Sequence, residues 1–211
     1  VPLLRDRLAN EADAEQRVSC AKLLAVLGDA RGEKVLLDAI TSADWDKGWD
    51  YTGMGQFNRS QSPMDDCIVC LALLRSPAAR EAALAKAGAL DASQAFSHFK
   101  AVAMYAETLG DAVFAPVLAG VLAKPGIAGH AWTRLADELV DIPESRVDTR
   151  TRNEALRELY TARALFRCGD HDGMAARLLG SYTHDLRGHF ARHAAAVLRA
   201  FHEKALKEKT H

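Results

Sequence analysis

A short turn sequence recurs along this chain and limits the folds that the chain can adopt. Leu27-Gly28-Asp29, Leu109-Gly110-Asp111 and Cys168-Gly169-Asp170 each put a glycine where one helix would end and an aspartate where the next would begin. Glycine is favoured just after a helix, and aspartate is favoured at the N-cap of the helix that follows. Leu74-Arg75-Ser76-Pro77 occupies the equivalent place with a different cap. The recurrence predicts helix pairs that repeat along the chain.

The segments between these turns carry apolar residues at helical spacing. The last segment has the clearest stripe, formed by Phe190, Ala194, Val197, Leu198, Phe201 and Ala205. A strand-type alternation of useful length is not found. Because a single helix pair cannot bury its own apolar faces, the pairs are expected to stack on one another. We therefore predict an all-α, HEAT-like solenoid of about four helix pairs plus flanking helices, forming a single domain over residues 1–211.

Two of the predicted helices have an N-terminal signature. Ser62-Pro63 and Ser76-Pro77 each place a hydroxyl at the N-cap and a proline at the first helical position. Asp65 and Asp66 then put negative charge into a first turn, where it interacts favourably with the helix dipole. We expect helices to begin at Pro63 and at Pro77.

One stretch of the chain does not fit the repeat. Residues 42–62 show neither a helical nor a strand period, yet they contain two of the three tryptophans. Disordered segments are poor in aromatic residues, and long irregular connections in compact domains are uncommon unless they are functional. We expect an ordered loop inserted between two helix pairs. It either fills space between splayed helices or forms a docking surface, and both can hold at once.

Candidate binding residues cluster at equivalent places in the predicted repeat. Ser97-His98 begins one helix, with His98 and Lys100 predicted to face away from the apolar stripe, and Gly129-His130 comes one repeat later. Loops at equivalent positions of a solenoid emerge on one edge, and Trp, Tyr and Arg dominate interface energies. The candidate binding residues are Trp45, Trp49, Tyr51, Gln56, Phe57, Arg59, Ser97, His98 and His130.

Charge and motifs argue against several functions. The net charge is −1, so the chain has no overall positive field that could hold a polyanion. No apolar run is as long as a membrane span, which needs about 18 residues. Gly53-Met54-Gly55 begins like a dinucleotide motif, but Asn58 stands where a glycine is needed and no strand precedes it. We expect no nucleic-acid or membrane partner and no dinucleotide site in this chain.

Two arrangements could bind a metal, and each has a plainer explanation. Cys67 and Cys70 form a C-x-x-C, but they lie in an apolar helical run, far in sequence from Cys168. Buried thiols are therefore favoured over metal ligands. His189 and His193 stand four residues apart beside the apolar stripe of the last helix, where boundary positions are the simpler assignment. We predict no metal site.

Several motifs resemble a known family. Residues 48–57 and 60–65, Ser97-His98-Phe99-Lys100-Ala101, and Lys124-Pro125-Gly126 with Gly129-His130 resemble the helical C-terminal region of bacterial FAD-dependent oxidoreductases. The resemblance covers roughly residues 13–135. It implies a non-catalytic accessory domain that packs on, or shapes access to, the flavin domain of the same parent chain or another protein. FAD would be bound elsewhere in that parent.

Other functions stay open. One is a stand-alone helical-repeat scaffold that binds proteins, and another is a HEAT-like enzyme of the DNA glycosylase or bilin lyase type. The near-neutral charge disfavours the glycosylase, which needs a basic groove. The chain begins at Val1 rather than at a methionine, so we expect a fragment of a longer protein. Localisation is left open: a soluble domain is expected, with export of the parent as one option.

Overall fold

The computed structural model describes residues 1–42, 44–52, 61–136 and 149–209, with side chains up to Ala200. These residues form α-helices and two short 3-10 turns, with no strand among them. The helices are α1 (Pro2–Asn10), α2 (Ala14–Val26), α3 (Glu33–Ser42), α4 (Pro63–Leu73), α5 (Arg80–Ala89), α6 (Phe96–Leu109), α7 (Phe114–Leu122), α8 (Arg150–Arg167), α9 (Met174–Tyr182) and α10 (Gly188–Lys209). The predicted all-α, HEAT-like fold is confirmed.

The recurring turns connect the two helices of each pair, as the sequence predicts. Gly28, Gly110 and Gly169 have φ angles of 74°, 65° and 103°, the left-handed region that glycine enters without steric cost. The aspartates that follow accept backbone N–H groups at the start of the next helix; Asp111, for example, accepts the amide of Val113 at 3.1 Å. Each turn thus satisfies donors at the beginning of the second helix of its pair.

The helices form two layers. In one layer α2, α4, α6 and α8 lie side by side, so that α6 packs against both α4 and α8. In the other layer α5 packs against α3 and α7. The helix α9 packs against α8 of the first layer. The flanking helices α1 and α10 cover α2 and α9 respectively. The core between the layers contains fully buried large side chains, among them Leu24, Leu71, Phe99, Tyr105, Leu165 and Tyr182.

One of the two predicted N-caps is confirmed and the other is wrong. Ser62 and Asp65 form a capping box, and α4 begins at Pro63. By contrast, Pro77 begins only a 3-10 turn, and α5 starts at Arg80. The Ser76 side chain makes no capping hydrogen bond, and its buried Oγ has no partner among the described residues. A hydroxyl before proline permits an N-cap, but the backbone here takes a tighter turn first.

The four cysteines are buried, unpaired thiols, as predicted. Burial raises the pKa of Cys67 to about 11 and that of Cys168 to about 12. Such thiols are almost entirely protonated near neutral pH and are therefore poor nucleophiles. Across the described ranges, no three His, Cys, Asp or Glu residues come together as a possible metal site.

The apolar stripe of α10 packs inward where its side chains are described. Phe190, Ala194 and Val197 are buried, while the side chains of Phe201 and Ala205 lie outside the described part of the chain. In the described part of the structure, none of the helices combines the length and apolar character that crossing a bilayer requires.

Candidate functional site

Residues 44–52, here called the aromatic segment, lie against the N-terminal ends of α4 and α6. An Asp46 side-chain oxygen accepts the backbone N–H of Met64, in the first turn of α4, at 3.0 Å. Asp50 Oδ1 accepts the backbone N–H of Phe96, the first residue of α6, at 2.7 Å. The first amides of a helix have no acceptor within the helix, so these two carboxylates provide the missing hydrogen-bond acceptors.

The same segment continues to α8. Ser97 first holds the backbone of Trp49 on both sides: its Oγ accepts the Trp49 N–H at 2.8 Å, and its own N–H donates to the Trp49 carbonyl at 3.0 Å. Asn153, in the first turn of α8, then holds Tyr51 in the same two-sided way, with both hydrogen bonds at 2.9 Å. The hydroxyl of Thr149 also donates to the Tyr51 carbonyl. The segment therefore connects the starts of three neighbouring helices of one layer.

Glycine at position 48 permits this close approach. A Cβ atom built there would lie 2.5 Å from the Cβ of Ala95 and 2.6 Å from Nε2 of His98. Real Cβ atoms do not come that close to other atoms, so any larger side chain would push the aromatic segment off the start of α6. The glycine is thus required by packing rather than by its φ angle.

His98 is buried, which corrects the prediction that it faces away from the core. Its relative accessibility is 1%, and that of Ser97 is 0%. The Nδ1 atom lies 2.7 Å from Oδ1 of Asp65, and Nε2 lies 3.1 Å from the carbonyl oxygen of Asp46. The ring of Trp45 stacks on the imidazole with a centroid distance of 4.2 Å. The helical wheel was misleading because the aromatic segment covers the first turn of α6 on its polar side.

The Asp65 carboxylate accepts a hydrogen bond from the His98 ring, and the carbonyl of Asp46 is a second acceptor beside that ring. Burial by itself raises the pKa of Asp65. Hydrogen bonds from His98, Ser97 and the backbone of Ser62 outweigh burial, and the net pKa of Asp65 lies below its ordinary value. The pair is an internal carboxylate–imidazole bridge closed to solvent, so it serves to fix the aromatic segment and offers no nucleophile or base to a ligand from outside.

The outer side of the aromatic segment presents a cluster that we call the aromatic edge, formed by Trp49, Tyr51 and Arg152. The rings of Trp49 and Tyr51 meet edge to face at 4.6 Å between centroids. The guanidinium of Arg152 lies 3.9 Å above the Tyr51 ring, a cation–π contact. Both rings are half-buried and Arg152 is exposed. Arg152 could not be predicted as a site residue, because nothing in the local sequence places the first turn of α8 beside residue 51.

The remaining candidates divide into three groups. Trp45 is half-buried on His98, as a space-filling residue would be. The amides of Gly129 and His130 donate to Glu158 at 3.0 and 2.9 Å, and the His130 ring is only 3.8 Å from Glu154. Among the described residues, no hydrogen bond, ion pair or ring contact joins His130 to the aromatic segment. Gln56, Phe57 and Arg59 lie outside the described residues.

Comparison with known proteins gives one structural likeness. No family model matches the chain, and no curated protein matches it in sequence. A chain from the complex of CpcE and CpcF of phycocyanin lyase from Nostoc sp. PCC7120 is similar in structure, with a TM-score of 0.55 and 16% identity. The likeness covers 94% of this chain, which spans 64% of the length of that chain. At this identity the likeness supports the fold alone.

The expected relationship to FAD-dependent oxidoreductases is wrong. The solved chain that matches belongs to a phycocyanin lyase, and none of the comparisons points to a flavin enzyme. The short motifs behind that expectation have structural roles in this fold. Gly48 allows close packing, and Ser97 and His98 hold the aromatic segment on α6.

Proposed function

We propose that this chain is a HEAT-like protein-docking subunit and that its partner protein binds the aromatic edge. The observation that carries the proposal is the fixed position of that edge. Hydrogen bonds with Ser97 hold the backbone of Trp49, and hydrogen bonds with Asn153 hold the backbone of Tyr51. A loop that is already held in place loses little conformational entropy when a partner binds it.

The chemistry of the aromatic edge suits a protein partner. Trp, Tyr and Arg are the residue types that most often dominate the energy of protein–protein interfaces. Here one of each stands in a single cluster, where Tyr51 contacts both Trp49 and Arg152. The cluster is only partly covered by its own chain, so it keeps area that a partner can bury.

The structural likeness adds support. The similar chain was solved as part of a complex of two proteins, CpcE and CpcF. A two-protein assembly of that kind would give the aromatic edge of this chain a protein partner.

The test is affinity capture of partners by the purified chain, compared between two variants. Trp49→Ala with Arg152→Ala removes the exposed part of the edge. Leu3→Ala with Arg31→Ala removes two exposed side chains at the start of the solenoid. The proposal predicts a protein that the wild type and the control retain and the edge variant loses, with helical circular dichroism unchanged in all three. Equal recovery by the edge variant, or no recovered protein at all, would contradict it.

A second candidate function is a phycocyanin-lyase-like activity, in which this chain would be one subunit. The observation that favours it is the likeness over 94% of the chain to a chain of the phycocyanin lyase complex. The buried His98–Asp65 pair does not supply the chemistry, since neither side chain reaches solvent. The activity would therefore use surface residues of this chain together with those of a partner.

This candidate is tested by mixing the chain and its captured partner with phycocyanin and following the absorbance of the bilin. A change in attached bilin that needs both proteins would support it. If the bilin stays unchanged with an intact pair, the lyase-like activity is excluded while the docking function stands.

A further inference from the structure

A second surface of the molecule lies open between α2 and α4. Two adjoining cavities, of about 600 and about 490 Å³, follow these helices and share Ser19 and Lys22 in their lining. We call them together the α2–α4 groove. Asp44 and Asp46, near the beginning of the aromatic segment, line the first cavity. The groove therefore lies beside the beginning of that segment, whereas Trp49 lies further along it.

The groove is lined mainly by apolar side chains from both helices. Val18, Met64 and Cys67 line one end, and Leu23, Val26 and Leu73 line the other. The last three are large apolar residues that are 54%, 66% and 56% exposed. Single exposed apolar residues are ordinary on a protein surface, but a contiguous set beside a cavity marks an interaction site.

The shape of the groove fits a helix. The starts of α2 and α4 line one cavity and their ends line the other, so the two helices run in the same direction along it. The 13 residues of α2 extend for about 20 Å at 1.5 Å per residue. A trough of that length holds between about three and four helical turns, which would present apolar residues at intervals of three and four.

The charged residues along the groove indicate which charge a bound partner would carry. Four carboxylates line it: Glu15, Asp44, Asp46 and Asp66. The one ammonium in the described lining, that of Lys22, is 3.2 Å from Asp66 and already pairs with it. Lys86 and Lys100 also interact electrostatically with carboxylates of this set, but neither lysine lines the groove. The rim therefore favours a positively charged partner.

We propose that the α2–α4 groove binds a basic amphipathic helix of a partner protein. The apolar side of that helix covers Leu23, Val26 and Leu73, and its lysines or arginines face Glu15 and Asp44. The proposal goes beyond docking at the aromatic edge and does not depend on it, because it rests on different residues.

The probe is a synthetic, fluorescently labelled peptide of about 14 residues with leucines at helical spacing and lysines elsewhere. One comparison peptide has glutamates in place of the lysines, and another has the same composition as the probe in scrambled order. Fluorescence anisotropy at about 50 mM salt, where screening is modest, gives the affinities. The lysine peptide is expected to bind at least about tenfold more tightly than either comparison peptide.

Variants connect the binding to the groove. The variant Val26→Ser with Leu73→Ser is expected to bind the lysine peptide at least about tenfold more weakly. The variant Glu15→Gln with Asp44→Asn is expected to bind it more weakly mainly at low salt. The control Leu3→Ser changes an 80% exposed residue on α1 and should bind like the wild type. Equal binding of the glutamate or scrambled peptide, no binding of the lysine peptide, or an unaffected groove variant would overturn the proposal.

Discussion

The imidazole of His98 and the carboxylate of Asp65 form a hydrogen bond of 2.7 Å that is closed to solvent on all sides. Asp65 belongs to the capping box of α4, whereas His98 lies in the first turn of α6. One hydrogen bond therefore joins the starts of two neighbouring helices, directly beneath the aromatic segment. Breaking such a contact is expensive because a buried polar or charged group is left without its hydrogen-bond partner.

Breaking this pair should destabilise the protein strongly. His98→Ala leaves the Asp65 carboxylate buried without its imidazole, and Asp65→Asn leaves the imidazole without its carboxylate. Each is expected to lower the free energy of unfolding by about 3–5 kcal/mol in urea titrations. The double variant should lose clearly less than the sum of the two, since the residues share one interaction.

The exposed ion pair of Lys34 and Asp38 provides the control for this experiment. Lys34→Gln should change the free energy of unfolding little, because exposed pairs gain little in water. If His98→Ala is as mild as Lys34→Gln, the buried pair is not the connection between α4 and α6 described above.

Gly48→Ala is predicted to destabilise through packing alone. The added methyl would lie 2.5 Å from the Ala95 side chain, so the aromatic segment must move or the start of α6 must open. A loss of about 1–3 kcal/mol is expected from such overpacking. In the control Gly120→Ala, on an exposed position of α7 with open space around it, stability should rise by about 0.5–1 kcal/mol. Thermal unfolding measures both, and a neutral Gly48→Ala would contradict the close approach.

Acid should destabilise the fold partly through Asp65. Its pKa in the folded state lies below the ordinary value, so the unfolded chain binds the proton more readily. The stabilisation is complete above the unfolded pKa of about 3.9 and is lost as the pH falls from there through the lower folded pKa. Unfolding free energies measured between about pH 5 and pH 3 should fall more steeply for the wild type than for Asp65→Asn. Parallel slopes would rule this contribution out.

A milder acid effect is expected at His193 on α10. Burial, together with the nearby Arg163 and Arg167, lowers the pKa of this histidine. The unfolded chain therefore binds a proton first, and the folded state loses stability as the pH falls below about 6.5. In His193→Gln the free energy of unfolding should change less between about pH 7 and pH 5 than in the wild type. An identical pH dependence in the two proteins would contradict the prediction.

The repeat could be predicted from the sequence because its signals are local. A glycine with a left-handed φ angle followed by an aspartate cap is a property of four or five consecutive residues, and Gly110-Asp111 needs no distant partner to form its turn. The apolar stripe that contains Phe99 is local in the same sense. Such features determine helix pairs, and helix pairs with exposed apolar faces must stack.

The candidate site was harder to predict because its contacts join distant positions. Asp46 and Asp50 accept amides that lie 18 and 46 residues later in the chain, and Asn153 accepts the amide of Tyr51, 102 residues earlier. No local pattern identifies these partners. His98 was placed on the wrong side for the same reason. A helical wheel finds the face that packs on other helices, but it does not find a loop that covers the polar face.

The aromatic segment is a fixed surface, held on α6 and α8, and is not a loose connection. Amide hydrogen exchange at Trp49 and Tyr51 tests this most directly, because their N–H groups donate to Ser97 and Asn153. The amide of Lys47, for which the described residues offer no hydrogen-bond partner, is the internal reference. We predict exchange at least about tenfold slower at Trp49 and Tyr51 than at Lys47, with the protection at Tyr51 lost in Asn153→Ala. Exchange of all three amides at the rate of an unstructured peptide would show that the segment is not held on α6 and α8.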